Sequence, residues 1–194
     1  MNKLWQPTKG VFTIGRRNIK TGVMRDVSLG LNTVVYEGLD ILGRLLAGAD
    51  VKINVVYMEF VNGGTPPVVV VDPAAGRSYY AALEAVPQTK DYIRVPLVGS
   101  PQTSASNVDF VSNKVTFVSL SADALAGRGG QPFNNASDSK VFGIALVAAA
   151  DVNDASQDKV FARSYDFTPK TKLLGEEISI VWSQIFGESM ISSS

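Results

Sequence analysis

At 194 residues the chain is long enough for one domain, or for a domain with substantial arms. It has no cysteine and no histidine, and Lys plus Arg balance Asp plus Glu at 18 each. Disulfide staples, thiolate and ordinary zinc sites, and Ser-His or Cys-His nucleophile systems are thereby excluded, and no polybasic footprint for nucleic acid remains.

Charged residues make up 19% of the chain, below the roughly 25% of an average soluble domain. A surface with so few charges gives up its water readily, which suits a protein embedded in an assembly. Residues 1–7 lack the apolar core of a signal peptide, and the longest apolar run, residues 144–150, is too short to span a bilayer. The expectation is a chain made in a cytoplasm, with neither a membrane nor a nucleic acid as partner and no cofactor or metal.

Residues 1–30 carry Lys3, Lys9, Arg16, Arg17, Lys20 and Arg25 against Asp26 alone. Residues 11–14 and 23–29 read as extended, with turn chemistry at 18–22 between them. This segment is expected to be an N-terminal arm or hairpin. It is either solvated or laid on an acidic surface of a neighbour, with Trp5 among its candidate contacts.

A single helix is predicted over 37–47, where Leu39, Leu42, Leu45 and Leu46 fall on one face. Glu37 and Asp40 suit the positive end of its dipole, and Gly48 suits a left-handed closing residue. The leucine stripe should cap an open end or an edge of a sheet.

Residues 53–61 alternate as a strand around Tyr57, and the turn chemistry of 62–67 stops it. Residues 68–71 form a short β-branched run, and 72–87 read as a loop or a poor helix containing Tyr79 and Tyr80. Residues 92–98 are strand-like, with Pro96 demoting part of them to an edge. Residues 108–111 and 114–120 form the clearest hairpin, placing Phe117 in the core.

Residues 126–140 are a long aperiodic loop containing Arg128 and Phe133, a candidate contact segment. Strands follow at 141–147, with Ile144 and Leu146, at 160–167, with Phe161, and at 177–186. In the last, Ile178, Ile180, Trp182 and Phe186 share one face while Ser179, Val181, Ser183 and Ile185 share the other. Asp151, Asp154 and Asp158 make the turn before residue 160 acidic, the counterpart of the basic start.

About eight strands and one helix predict an all-β fold, a two-layer antiparallel β-sandwich of jelly-roll type, with a barrel from the same strands as the alternative. The expected division is an N-terminal arm or hairpin over 1–30, the sandwich over 31–187 and a flexible tail over 188–194. No acid pair for catalysis emerges, because the adjacent Glu176 and Glu177 point to opposite faces of a strand. Tyr79, Tyr80 and Trp182 could stack on a sugar, although core or interface packing explains such aromatics better.

The order of the elements resembles a known family. Asn32-Thr-Val-Val-Tyr-Glu-Gly-Leu-Asp-Ile-Leu-Gly-Arg-Leu-Leu-Ala-Gly48 resembles the opening helix of tailed-bacteriophage virion β-sandwich modules, which include N-terminal domains of tail-fibre-like proteins and capsid-decorating proteins. Val55-Val-Tyr-Met-Glu-Phe-Val-Asn-Gly-Gly64 is similar to their first core strand and glycine turn. Lys114-Val-Thr-Phe-Val118 and Val141-Phe-Gly-Ile-Ala-Leu146 resemble later strands. Phe161-Ala-Arg163 and Ile178-Ser-Ile-Val-Trp-Ser-Gln-Ile-Phe186 resemble the last two.

The resemblance implies a non-enzymatic virion protein, made in the bacterial host, that binds the major capsid protein or else tail proteins and is a homo-oligomer in the particle. No collagen-like, coiled-coil or β-helical shaft follows residue 186. The expectation is therefore a head decoration or cement protein rather than a fibre, with a tail, collar or baseplate adaptor as the alternative and a carbohydrate-binding module as the third reading.

Overall fold

The computed structural model describes residues 10–60, 92–97, 108–109, 114–121, 140–151 and 154–185. Their strands are β1 (Gly10–Asn18), β2 (Met24–Val34), β3 (Ile53–Phe60), β4 (Tyr92–Pro96) and β5 (Val108–Asp109), then β6 (Lys114–Ser121), β7 (Lys140–Ala148), β8 (Lys159–Ser164), β9 (Lys170–Thr171) and β10 (Glu176–Ile185). One helix, α1 (Tyr36–Leu46), follows β2. The fold is all-β, and every pairing is antiparallel.

The strands run in the order β4-β3-β7-β8-β2-β1-β10-β6-β5, with β9 beside β7. β2 is long enough to serve two neighbours: Leu31 and Asn32 pair with β1, and Thr33 and Val34 with β8. At the other end of the path a bridge between Leu97 and Ser119 brings β4 against β6. The sheet thus curls almost closed, nearer the barrel alternative than two separate layers. Two halves remain distinguishable, β2-β1-β10-β6 and β4-β3-β7-β8, joined at these two narrow seams.

The hairpin of β1 and β2 is built where the sequence places its turn. Asn18 Oδ1 accepts the N–H groups of Lys20 and Thr21, and Asn18 O accepts that of Gly22 at 2.8 Å. It is not an arm, however. β1 lies between β2 and β10, and Phe12 and Ile14 stand in the shared core with Ile178, Ile180 and Trp182 of β10 and Val56, Met58, Ile144 and Leu146 of the other half. Phe12 packs against Trp182 with ring centroids 5.5 Å apart. Of the arm or hairpin expected over 1–30, the hairpin is formed, and from Gly10 onward this segment is a central part of the sheet.

The helix docks on β8 rather than through its whole leucine stripe. Gly38 lies so close to β8 that a Cβ there would come 2.1 Å from the Phe161 carbonyl oxygen. The Glu37 carboxylate accepts the Val160 N–H at 3.0 Å. This rotation drives Ile41 fully into the core, with Leu39 and Leu42 partly buried against it. Leu45 and Leu46 were expected in the core and are instead exposed, Leu46 by 90%, because they lie past the turn that touches the sheet. Gly48, at φ +79°, closes the helix in the left-handed conformation.

Of the remaining expected core residues, Tyr57, Ile144, Leu146, Phe161, Ile178, Ile180 and Trp182 are buried. Tyr57 belongs to a second cluster on the outer side of the β4-β3-β7-β8 half, with Val55, Tyr92, Ala145, Val147 and Val160. The Phe117 side chain and Phe186 lie outside the described residues, as do the expected features at 62–87, 101–107, 126–139 and 188–194.

Candidate functional site: an apolar outer sheet face

The two halves use charge and apolar surface in opposite ways. In β4-β3-β7-β8 both faces are buried, and the outer one holds two ionic clusters. Arg94 donates to Asp158 through Nε at 2.8 Å and Nη2 at 2.7 Å, and its Nη2 also reaches the carbonyl oxygens of Asp151 and Asp154. The Tyr57 hydroxyl donates to the same Asp158 carboxylate.

Burial pushes the Tyr57 phenol far above its ordinary value, helped by its bond to Asp158. Burial works against the charged Arg94, but Asp158 outweighs it and holds the guanidinium above its usual value. Of the acidic turn's three aspartates Asp158 is buried while Asp151 and Asp154 are exposed, and the backbone carbonyls of those two accept from Arg94.

A second cluster sits farther along the same face. Glu59 Oε1 lies 3.1 Å from Arg163 Nε, and the Tyr165 hydroxyl donates to Glu59 Oε2 at 3.0 Å. Burial raises the Glu59 carboxyl above its ordinary value, partly offset by Arg163 and by the Tyr165 bond. A perturbed carboxylate can mark catalysis. Here it is closed in by its partners and by Tyr165, which stacks on Phe142 at 5.7 Å. Both clusters tie neighbouring strands together through buried ion pairs.

The basic residues of the first strand are likewise engaged within the chain. Arg16 Nη1 lies 3.3 Å from Glu176 and its Nε 3.6 Å from Asp26, which also pairs with the buried Lys170 at 2.9 Å. Asp26 sits at φ +49°, beside the bulge where β2 departs from register with β1. Arg17 Nη1 pairs with Glu177 Oε1 at 2.5 Å. The β1–β10 register sets Arg16 and Arg17, read from the sequence as solvated or as candidate contacts, beside Glu176 and Glu177, with which they form ion pairs. Those two glutamates point to opposite faces, as the strand alternation requires.

Lys20 and Arg25 are exposed on the hairpin. Lys3, Trp5, Lys9, Tyr79, Tyr80, Arg128 and Phe133 lie outside the described residues. Trp182 is fully buried, so it cannot stack on a sugar.

What the sequence reading missed lies on β2. Its inward residues are small or polar: Ser28 opposite Ile14, Gly30 opposite Phe12 and Asn32 opposite Gly10. Its outward residues are Val27, Leu29 and Leu31, exposed by 53%, 72% and 58%. A sheet strand ordinarily turns its apolar alternation inward; here the alternation is inverted. The cause is steric. The Phe12 ring fills the space beneath β2, and a Cβ on Gly30 would sit 2.4 Å from that ring and from the Asp166 carbonyl oxygen. A one-residue slip would bury the leucines but would drive side chains into that filled space.

The exposed β2 residues continue into a partly exposed face. Leu31 lies beside half-buried Val11, and Val11 beside half-buried Ser183; Leu29 lies beside half-buried Thr13, Thr13 beside exposed Val181, and Val181 beside half-buried Val118. Exposed Met24 and Val23 continue it toward the hairpin turn, where Ile19 is also exposed. The Ile19 N–H bonds to Gly175 O, bringing this tip to the exposed Leu173 and Leu174. No charge interrupts the rows from Val27 to Leu31. The Arg17–Glu177 pair at their margin is internally neutralised.

Among the described residues, no group of three or more Asp or Glu is placed to hold a metal ion, and no helix is long and apolar enough to cross a membrane. Comparison with known proteins finds no matching family model, no matching curated protein and no matching solved structure.

Proposed function

We propose that this chain is a non-enzymatic structural protein of a bacteriophage particle, a head decoration or cement protein that works by binding other proteins. The observation that carries the protein-binding part is the inverted strand β2, which turns Val27, Leu29 and Leu31 outward over Ser28, Gly30 and Asn32. Isolated exposed leucines are ordinary, but a contiguous apolar sheet face marks a surface built to be covered.

The phage part is supported by the ordered motifs between residues 32 and 186 that resemble virion sandwich modules. Placement on the head accords with an adhesive surface that is a sheet face, a form that can repeat laterally over a lattice. The two charge clusters of the other half accord with a rigid scaffold behind that surface. Quantitative mass spectrometry of purified particles tests the placement. Decoration requires roughly hundreds of copies per particle, whereas about six or twelve would move the protein to the tail or collar.

A further inference from the structure

The outer face of β2-β1-β10-β6 has a shape and a charge pattern that bear on what covers it. Along β2 the outward side chains Val27, Leu29 and Leu31 stand as a ridge of branched residues. Beside them Val11 and Thr13 on β1, and Val181 and Ser183 on β10, form a lower floor. A two-fold rotation about an axis lying in the interface plane and parallel to the strands sets the ridge of one copy over the floor of the other, and the reverse, which is the isologous condition a two-fold interface must meet. No like charges are brought together. The face carries none between Val27 and Leu31, and its marginal Arg17 is neutralised by Glu177.

That pattern disfavours a strongly charged partner, because nothing on the face would complement one. Pairing through the edge of β2 that has no partner strand among the described residues is disfavoured as well. The bulge at Asp26, with Arg16 and Lys170 gathered around it, guards one end of the edge. The Ser164 hydroxyl donates to the Leu31 carbonyl at 2.6 Å and occupies the other end. What remains is sheet-on-sheet packing, with the two inner layers about 10 Å apart.

The area is consistent with a weak pair. Four strands about 4.8 Å apart and about seven residues long give a face of roughly 450 Å². Two copies would bury roughly 900 Å², just under the ~1,000 Å² at which specific interfaces begin.

We infer that this face is a self-association surface, on which a second copy of the chain packs about a two-fold axis as a weak dimer. This rests on the reading of the face as protein-binding and names its occupant.

Sedimentation velocity of the full chain from about 1 to about 500 µM provides the test, with a dissociation constant on the order of 10–100 µM expected for so small an interface. Leu29→Glu should weaken association at least a hundredfold while leaving the far-ultraviolet circular dichroism and melting temperature unchanged. Leu46→Glu, on the exposed end of the helix, should associate like the parent. A parent that stays monomeric at 500 µM, or a dimer indifferent to Leu29→Glu, overturns the inference.

Adding each variant to purified particles depleted of this protein separates the two levels. If the parent is monomeric and Leu29→Glu still abolishes attachment, a different protein covers the face: the self-association is overturned and the protein-binding reading stands. If the parent is monomeric and Leu29→Glu attaches normally, both fall.

Discussion

The β4-β3-β7-β8 half and the β2-β1-β10-β6 half are built from similar strands but end their outer faces differently. The first buries Val55, Tyr57, Ala145 and Val147 on its outer side and places Arg94, Asp158, Glu59 and Arg163 among them, each in an ion pair. The second gathers Arg16, Asp26 and Glu176 at its far end, where Lys170 of β9 pairs with Asp26, and leaves a partly exposed apolar face. Buried ion pairs contribute little net stability but penalise rearrangement strongly. One half is thereby held in a single arrangement while the other presents a surface, and the two roles do not compete.

The comparison breaks most readily at Asp158. Asp158→Asn leaves the buried Arg94 guanidinium without its counter-charge and should destabilise the fold by about 3–5 kcal/mol in urea denaturation. A loss under about 1 kcal/mol would mean that the outer cluster is not what fixes this half.

The inverted strand gives a sharper contrast between neighbours. Gly30→Ala pushes a methyl group against Phe12 and the Asp166 carbonyl and should destabilise by about 1–3 kcal/mol. Leu29→Ser, one residue away but outward, should change the stability of the free monomer by less than about 0.5 kcal/mol. The reverse ranking would mean that β2 turns its leucines inward.

The pH dependence of stability separates the halves in a milder way. The Tyr57 phenol is raised by burial, so above pH 10 the unfolded chain releases this proton while the folded chain keeps it. Its contribution is intact below the unfolded value of 10.0 and falls as pH climbs toward the folded value. The slope is about 1.4 kcal/mol per pH unit. Tyr57→Phe should remove that part of the alkaline slope, as read from urea midpoints at successive pH values; an unchanged slope would show that the phenol titrates freely in the folded state.

Much of this was legible in the sequence because it depends on local chemistry. The period-two runs around Tyr57, Ile144 and Trp182, the Asn18–Gly22 turn and the Gly48 closure each depend on nearby residues alone. The Ile178, Ile180 and Trp182 face is inward as its alternation predicts.

The misreadings arise where a distant partner decides. Nothing near Arg16 or Arg17 shows that Glu176 and Glu177 lie opposite; only the β1–β10 register does. Leu45 and Leu46 lie on the predicted helical stripe, yet the close approach at Gly38 turns the helix so that Ile41 takes the core position. The outer face was the hardest to see. Val27, Leu29 and Leu31 alternate as any half-buried strand does, and alternation alone does not tell which side is covered. The signal lay in the intervening Ser28, Gly30 and Asn32, which are too small or too polar to build a core, with Gly30 leaving room for the Phe12 ring.

Hydroxyl-radical footprinting of the free chain and of the chain assembled on its particle tests the central claim most directly, since it reads side-chain exposure residue by residue. Met24, Leu29 and Leu31 should be reactive in the free protein and become protected on assembly, while Leu46 stays reactive in both. Protection of Leu46 with Leu29 and Leu31 still reactive would contradict the assignment of the β2-β1-β10-β6 outer face as the binding surface.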